Sequence, residues 1–190
     1  MDNYEDYKRL LKKRLNEKRY NHSLAVADEA LRLARKYGGD EEKCYLAGLL
    51  HDITKNASRE EHLNIFETFG IILNDVEKNA QKLWHAISGA AYIKYILLID
   101  DEEIIDAIRY HTTAKPNMSK LALLLYLADF TSADRDYEDV DEMRRLVDIS
   151  LGDAYKYALK YTVSDLAHQG KPIHIDTLNA YNQAFLKGIE

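Results

Sequence analysis

The stretch Leu46-Ala47-Gly48-Leu49-Leu50-His51-Asp52-Ile53-Thr54-Lys55 decides how this chain folds. Asp40 is placed to cap a helix from residue 41 to about 55, and its middle is apolar on every side, the mark of a helix buried all round. A histidine and a carboxylate stand late in that helix. An unpaired carboxylate is expensive to bury, so Asp52 there needs a cation or strong donors. A divalent metal would satisfy it and could be shared with the neighbouring imidazole. The competing reading is a helix-end pair facing water, and the dipeptide alone does not choose between them.

Working outward, stop and start signals cut the rest into helices with short connections. A helical pattern spans residues 3–37, with a break expected near 19–22, and Gly38-Gly39 stops it. Ser58 with Glu61 reads as a capping box opening a helix that ends at Gly70, and Asn74 with Glu77 opens another. Asp101 precedes an amphipathic run through His111, and residues 112–117, with Pro116, read as a loop. Residues 119–130 read as a buried helix and 131–139 as an Asp-rich loop. A long pattern follows over 140–169 with Gly152 as its weak point, and Asp176 is expected to cap a last helix. No strand-like alternation, repeat or low-complexity tract persists, so the fold class is all-α. Residues 1–190 read as one domain, with a core over about 15–135 and C-terminal helices over about 140–190 packing on it.

Composition narrows the function classes. The net charge of −6 argues against a nucleic-acid polymer as ligand, since phosphate backbones demand a basic surface, but it leaves room for a small phosphorylated substrate. Cys44 is the sole cysteine and forms no internal disulfide. Residues 1–9 are charged and unlike a signal peptide, and the apolar runs around 96–99 and 121–127 are too short to cross a bilayer, so the expectation is a cytoplasmic protein with no membrane partner. A homodimer is compatible with the sequence, which assigns no exposed apolar face to one.

Four further residues repeat the pattern of His51-Asp52. His22 follows Arg19-Tyr20-Asn21, His85 follows Leu83-Trp84, His111 ends Ile108-Arg109-Tyr110, and Asp129 ends the apolar Leu123–Ala128. All stand near helix ends or inside apolar segments, where separate helices can bring side chains together. Each lone histidine on a partly apolar face is more often a satisfied core residue than a ligand. The ordered series His22, His51-Asp52, His85, His111, Asp129 offers imidazoles and carboxylates without a thiolate, which suits Fe, Mn, Co or Zn better than a structural zinc site. His62 and His168 fall on charged helical faces and read as solvated, and Trp84 and the tyrosines read as core. No Gly-rich phosphate loop, Ser nucleophile elbow or Cys-His arrangement is present.

The series resembles the HD superfamily of metal-dependent phosphohydrolases in its six-ligand, two-metal version. Arg19-Tyr20-Asn21-His22-Ser23-Leu24, Ala47–Lys55, Arg109-Tyr110-His111-Thr112-Thr113 and Ala128-Asp129-Phe130 resemble the bacterial YqeK family over roughly residues 15–180. The resemblance implies an HD-domain helical bundle with its metal site between helices, and symmetrical hydrolysis of diadenosine tetraphosphate to two ADP by a metal-bound hydroxide. It implies two ions, divalent or mixed-valence, iron first with manganese or cobalt compatible. His22, His51, Asp52 and Asp129 would hold one, and Asp52 would bridge to a second on His85 and His111. Lys55 follows on the face of His51 and Asp52 as a phosphate-charge stabiliser, or else as a solvated lysine at a helix end. Arg135 is either a phosphate clamp or a surface partner of Asp134 or Asp136. Thr112 is a candidate for the substrate or for orienting His111, Lys115 for the substrate, and His174 for the nucleotide pocket. The alternatives are a nucleotidase or phosphodiesterase on another small nucleotide, or a nucleotide-sensing HD domain without turnover. The chain departs from the family pattern after Asp129, where a Glu-Pro pair before the arginine and a Pro-Gly pair after the aromatic residue are missing. Ala114 stands in place of a glycine, and Ile175 in place of a proline.

Overall fold

Asn16 splits the N-terminal helical pattern into two. The computed structural model describes residues 4–187, so the expected start at Asn3 lies outside the described residues. Helix α1 (Tyr4–Arg14) ends there, and Asn16 caps α2 (Glu17–Tyr37) by accepting from the Arg19 amide at 2.9 Å. The break therefore precedes the expected 19–22 region, because a side-chain cap decides a helix start more firmly than a dip in the apolar pattern. His22 consequently lies inside α2, buried with Ser23, Val26 and Ala27.

Asp40 caps α3 (Glu41–Leu50) as expected, but the helix stops before His51. Ser58 caps α4 (Arg59–Thr68), although its box is one-sided: the Glu61 carboxylate turns instead to Arg14 of α1. At α5 (Asp75–Asn79) both arms of the Asn74–Glu77 box are closed. A short 3₁₀ turn (Gln81–Leu83) leads into α6 (Trp84–Ala91), which widens into a π turn (Tyr92–Ile96). Then come α7 (Glu102–Tyr110) and α8 (Lys120–Thr131). The expected long C-terminal helix is α9 (Val140–Ile149) and α10 (Leu151–His168), divided at Ser150 rather than Gly152. Ser150 accepts from the Asp153 amide at 3.2 Å, so a cap again sets the boundary. Asp176 lies in the first turn of α11 (Ile175–Lys187).

Among the described residues there are no strands, in line with the all-α expectation. Helix α8 is the axis of the fold: Leu121–Ala128 are all buried, with α2, α3, α7, α9 and α10 around them. One apolar cluster extends from Leu11 of α1 to Ala184 of α11, and a smaller one joins Ile65 and Phe66 of α4 to Trp84, Ile87 and Ala91. No described helix is long and apolar enough to cross a membrane.

Candidate metal centre

Gly48 brings the first two donors together. A Cβ built on it would lie 2.7 Å from Ala27 Cα and 2.9 Å from Ala27 N, so only glycine lets α3 approach α2 this closely. After Leu50 the chain tightens into short-range turns, with Ile53 N–H on Leu50 O at 3.1 Å and Lys55 N–H on Asp52 O at 2.8 Å. The expected helical continuation to residue 55 is thus replaced by tighter turns that aim both His51 and Asp52 inward. Thr54 pins this segment to α6 by donating to His85 O at 2.9 Å.

The six predicted donors converge. Around Asp129, His22 Nε2 lies at 3.0 Å and His51 Nε2 at 4.0 Å from Oδ1. Around Asp52, His85 Nε2 lies at 3.2 Å and His111 Nε2 at 3.7 Å from Oδ1, while His51 Nε2 is 3.7 Å from Oδ2. Ligand atoms of His22, His51 and Asp129, and of His51, Asp52 and His111, lie within 4.8 Å of one another. His85 joins through His111, their Nε2 atoms 3.1 Å apart.

Three imidazoles are held from behind. His51 Nδ1 donates to Gly48 O and His111 Nδ1 to Ile108 O, each at 2.7 Å. A carbonyl only accepts, so in both rings Nδ1 carries the proton and Nε2 presents a lone pair to the centre. His22 Nδ1 is paired with Asp134 Oδ2 at 2.8 Å, the carboxylate–histidine arrangement that orients metal-binding rings. His51 Nε2 and Asp52 Oδ1 are buried without any hydrogen-bond partner. Buried acceptors without partners inside one cluster of imidazoles and carboxylates are what a divalent cation would satisfy, and the donor set fits one chemically.

The electrostatics point the same way. Burial pushes His51 down to about 3 and His85 down to about 4, despite the nearby carboxylates, so both rings are neutral at neutral pH. Burial would raise Asp52, but His51, His111, His85 and Lys55 hold it well below the usual carboxylate range. Burial likewise opposes ionisation of Asp129, and Arg135, His22 and His51 outweigh it. His51, His85, Asp52 and Asp129 are thus in their metal-binding protonation states. At His22 burial is outweighed by Asp129 and Asp134, which raise its pKa, so a metal there would have to displace a proton.

The other predicted residues divide. Lys55 Nζ sits 2.9 Å from His85 Nε2 and 3.5 Å from Asp52 Oδ1, at the centre itself. Arg135 pairs with the Asp129 carboxylate and donates to Asp129 O at 2.6 Å, rather than pairing with Asp134 or Asp136. Thr112 and Thr113 have buried hydroxyl oxygens without partners, and with His174 they line a cavity of about 600 Å³ beside His111. His174 is held there by Asn74 at 3.1 Å and faces Glu77 at 3.4 Å. Lys115 turns away to Asp106 at 2.6 Å. A second cavity of about 480 Å³, lined by Arg19, Lys55, Arg59, Lys82 and His85 among others, adjoins the first along Gln81 and Lys82. His168 is exposed as expected, but His62 is buried and faces this second cavity, because it shares the α4 stripe of Ile65 and Phe66 that packs on Trp84. That stripe, at positions i, i+3 and i+4, was the available signal. Asp134 carried none, and Arg19, 3.4 Å from Asp52 Oδ2, was marked only by its place in the motif Arg19–Leu24.

Residues 19–134 match the HD domain family. The chain is 35% identical over 178 residues to a symmetrical bis(5′-nucleosyl)-tetraphosphatase of Halalkalibacterium halodurans, covering 94% of this chain and 95% of that protein. It is 37% identical to the protein of the same name from Staphylococcus aureus, with 95% of each covered. The crystal structure of a predicted HD superfamily hydrolase involved in NAD metabolism, from Clostridium acetobutylicum, superposes with a TM-score of 0.93 at 36% identity over 97% of this chain and 98% of that one.

Proposed function

The chain belongs to the HD domain family, alongside the symmetrical bis(5′-nucleosyl)-tetraphosphatases it matches over nearly its whole length, and on that premise we propose that it hydrolyses diadenosine tetraphosphate to two ADP. The observation that carries the catalytic part of this reading is the meeting of six His and Asp side chains around two buried atoms without partners, His51 Nε2 and Asp52 Oδ1. In this reading His22, His51, Asp52 and Asp129 hold one ion and Asp52, His85 and His111 the other. The ions are divalent or mixed-valence, iron first, with manganese or cobalt able to replace it. Once bound, they supply Lewis-acid charge and an acidified water as nucleophile.

The protein's own groups do the rest. Lys55 is the ammonium nearest the donors and meets charge that develops on a phosphate oxygen. Arg19 adds positive charge from α2 beside Asp52. Arg135 braces Asp129 from behind and so acts on position rather than on phosphate. The unpartnered hydroxyls of Thr112 and Thr113, with His174, offer polar contacts in the larger cavity. A substrate with two nucleosides is supported by two adjoining cavities, one lined by Thr112 and Thr113 next to His111 and one lined by His85, which share Gln81 and Lys82. A substrate with a nucleoside at each end has room for both, with its phosphates near Lys55 and Arg19.

Product analysis tests this. Protein purified with iron or manganese is expected to release ADP alone from diadenosine tetraphosphate. Equal ATP and AMP would overturn the symmetrical cut, and binding without turnover by metal-replete protein would favour a sensor over an enzyme.

A further inference from the structure

We propose that His62 is a substrate-positioning residue, whose ring Nε2 accepts a hydrogen bond from an O–H or N–H of the nucleoside in the basic cavity beside His85. A chain of three hydrogen bonds fixes its direction. Thr54 Oγ1 donates to His85 O at 2.9 Å, which uses its only proton. Ser88 Oγ, 2.8 Å from Thr54 Oγ1, must therefore donate to Thr54. With its own proton spent, Ser88 Oγ can only accept from His62 Nδ1, also at 2.8 Å. The neutral ring thus carries its proton on Nδ1 and a lone pair on Nε2, which has no protein partner among the described residues.

The ring is built in rather than adrift. His62 is 7% exposed, stacked 6.3 Å from Phe66 and edge-on at 6.0 Å to Trp84, and burial lowers its pKa, which keeps it neutral. The same cavity presents Arg19, Lys55, Arg59 and Lys82, all donors. Phosphate oxygens only accept, so the four cations suit the polyphosphate and the buried imidazole acceptor does not. What suits Nε2 is a neutral donor adjoining the phosphates: a ribose hydroxyl or the exocyclic amine of the base. This inference rests on the proposed dinucleotide activity, and it adds a polar selection that a cluster of cations cannot make.

His62→Asn keeps a donor near Ser88 and removes the cavity acceptor, while His62→Gln restores an acceptor oxygen at the ring's far end. For diadenosine tetraphosphate, His62→Asn is expected to raise KM about tenfold, the scale of one hydrogen bond, with kcat within about twofold. His62→Gln should recover part of that loss. Among the 2′-deoxy, 3′-deoxy and inosine analogues, one should show the same KM penalty with the wild type and no further penalty with His62→Asn. A KM unchanged in His62→Asn, or a Tm loss with no analogue discriminated, would overturn the inference and leave His62 a tie between α4 and α6. If the wild type leaves diadenosine tetraphosphate intact, the activity and this inference fall together. If it cleaves the substrate and the variants keep its KM, the inference alone fails.

Discussion

The donor cluster and the wall of the 600 Å³ cavity lie on either side of His111, yet they are held in opposite ways. In the cluster, His51 and His111 are fixed by carbonyls three residues back, Gly48 O and Ile108 O. In the wall, His174 is fixed by Asn74, a hundred residues earlier, with Glu77 close by and Arg109 paired to Glu77. Thr177 donates to Thr113 O at 2.7 Å, joining α11 to the loop after α7. The first region is assembled by short stretches of chain that orient their own rings. The second exists only once α5, α7 and α11 have met.

The largest effect should come from the first region. Asp52→Asn keeps the shape but removes the charge at the meeting point of three imidazoles and Lys55. Hydrolysis should fall by well over ~10²-fold, the loss seen even for partners one step removed from a metal. Metal content should drop with it, with little change in far-UV CD. Normal turnover with full metal content would break the assignment of Asp52.

Next in size is Gly48→Ala, which inserts a methyl 2.7 Å from the Ala27 backbone and must push α3 from α2. A loss of about 1–3 kcal/mol in stability is expected, with weaker metal retention, because His22 and His51 separate. Gly89→Ala is the control: its nearest neighbour would be Thr54 Oγ1 at 3.5 Å, an ordinary contact, so denaturant midpoints should barely move.

That contrast in construction also explains what could be read in advance. His51-Asp52 and Asp129 stand out because ionisable residues end apolar helices, and a local carbonyl completes the two rings at 51 and 111. His85 and His111 could be singled out only through the family resemblance of the flanking motifs. Arg19 stood in a family motif without a role of its own, and Asp134 and the Thr54–Ser88–His62 chain were invisible, since their partners lie 26 to 112 residues away and their residue types are ordinary. The helix breaks at Asn16 and Ser150 were legible as caps, but the apolar pattern drew attention elsewhere.

The second region answers to pH. Burial raises the Glu77 carboxyl, but the Asn74 amide, Arg109 and His174 lower it further, so its folded pKa lies below the ordinary carboxylate value. A depressed folded pKa contributes stability above the unfolded pKa, and that contribution is lost as pH falls through the folded one. Glu77→Gln should therefore cost about 1 kcal/mol near neutral pH, and the gap to wild type should begin to narrow near the ordinary glutamate pKa and close as pH falls through the lower folded one. A gap independent of pH would mean that Glu77 acts by shape alone.

The smallest effect is expected where the two regions join. Ala114 closes the turn after α7 with its amide on Tyr110 O at 2.8 Å, and it does so at φ 55°, a left-handed conformation that favours glycine. Its methyl is fully buried. Replacing it with glycine relieves strain of roughly 1 kcal/mol and gives up a buried methyl worth about 0.8 kcal/mol, while the unfolded chain gains freedom. Ala114→Gly should thus change stability by less than about 1 kcal/mol in chemical denaturation. The sign is informative. Stabilisation would mean that the turn holds Thr112 and Thr113 against backbone strain, whereas destabilisation would mean that the methyl, buried in the main apolar cluster, is what keeps the wall in register.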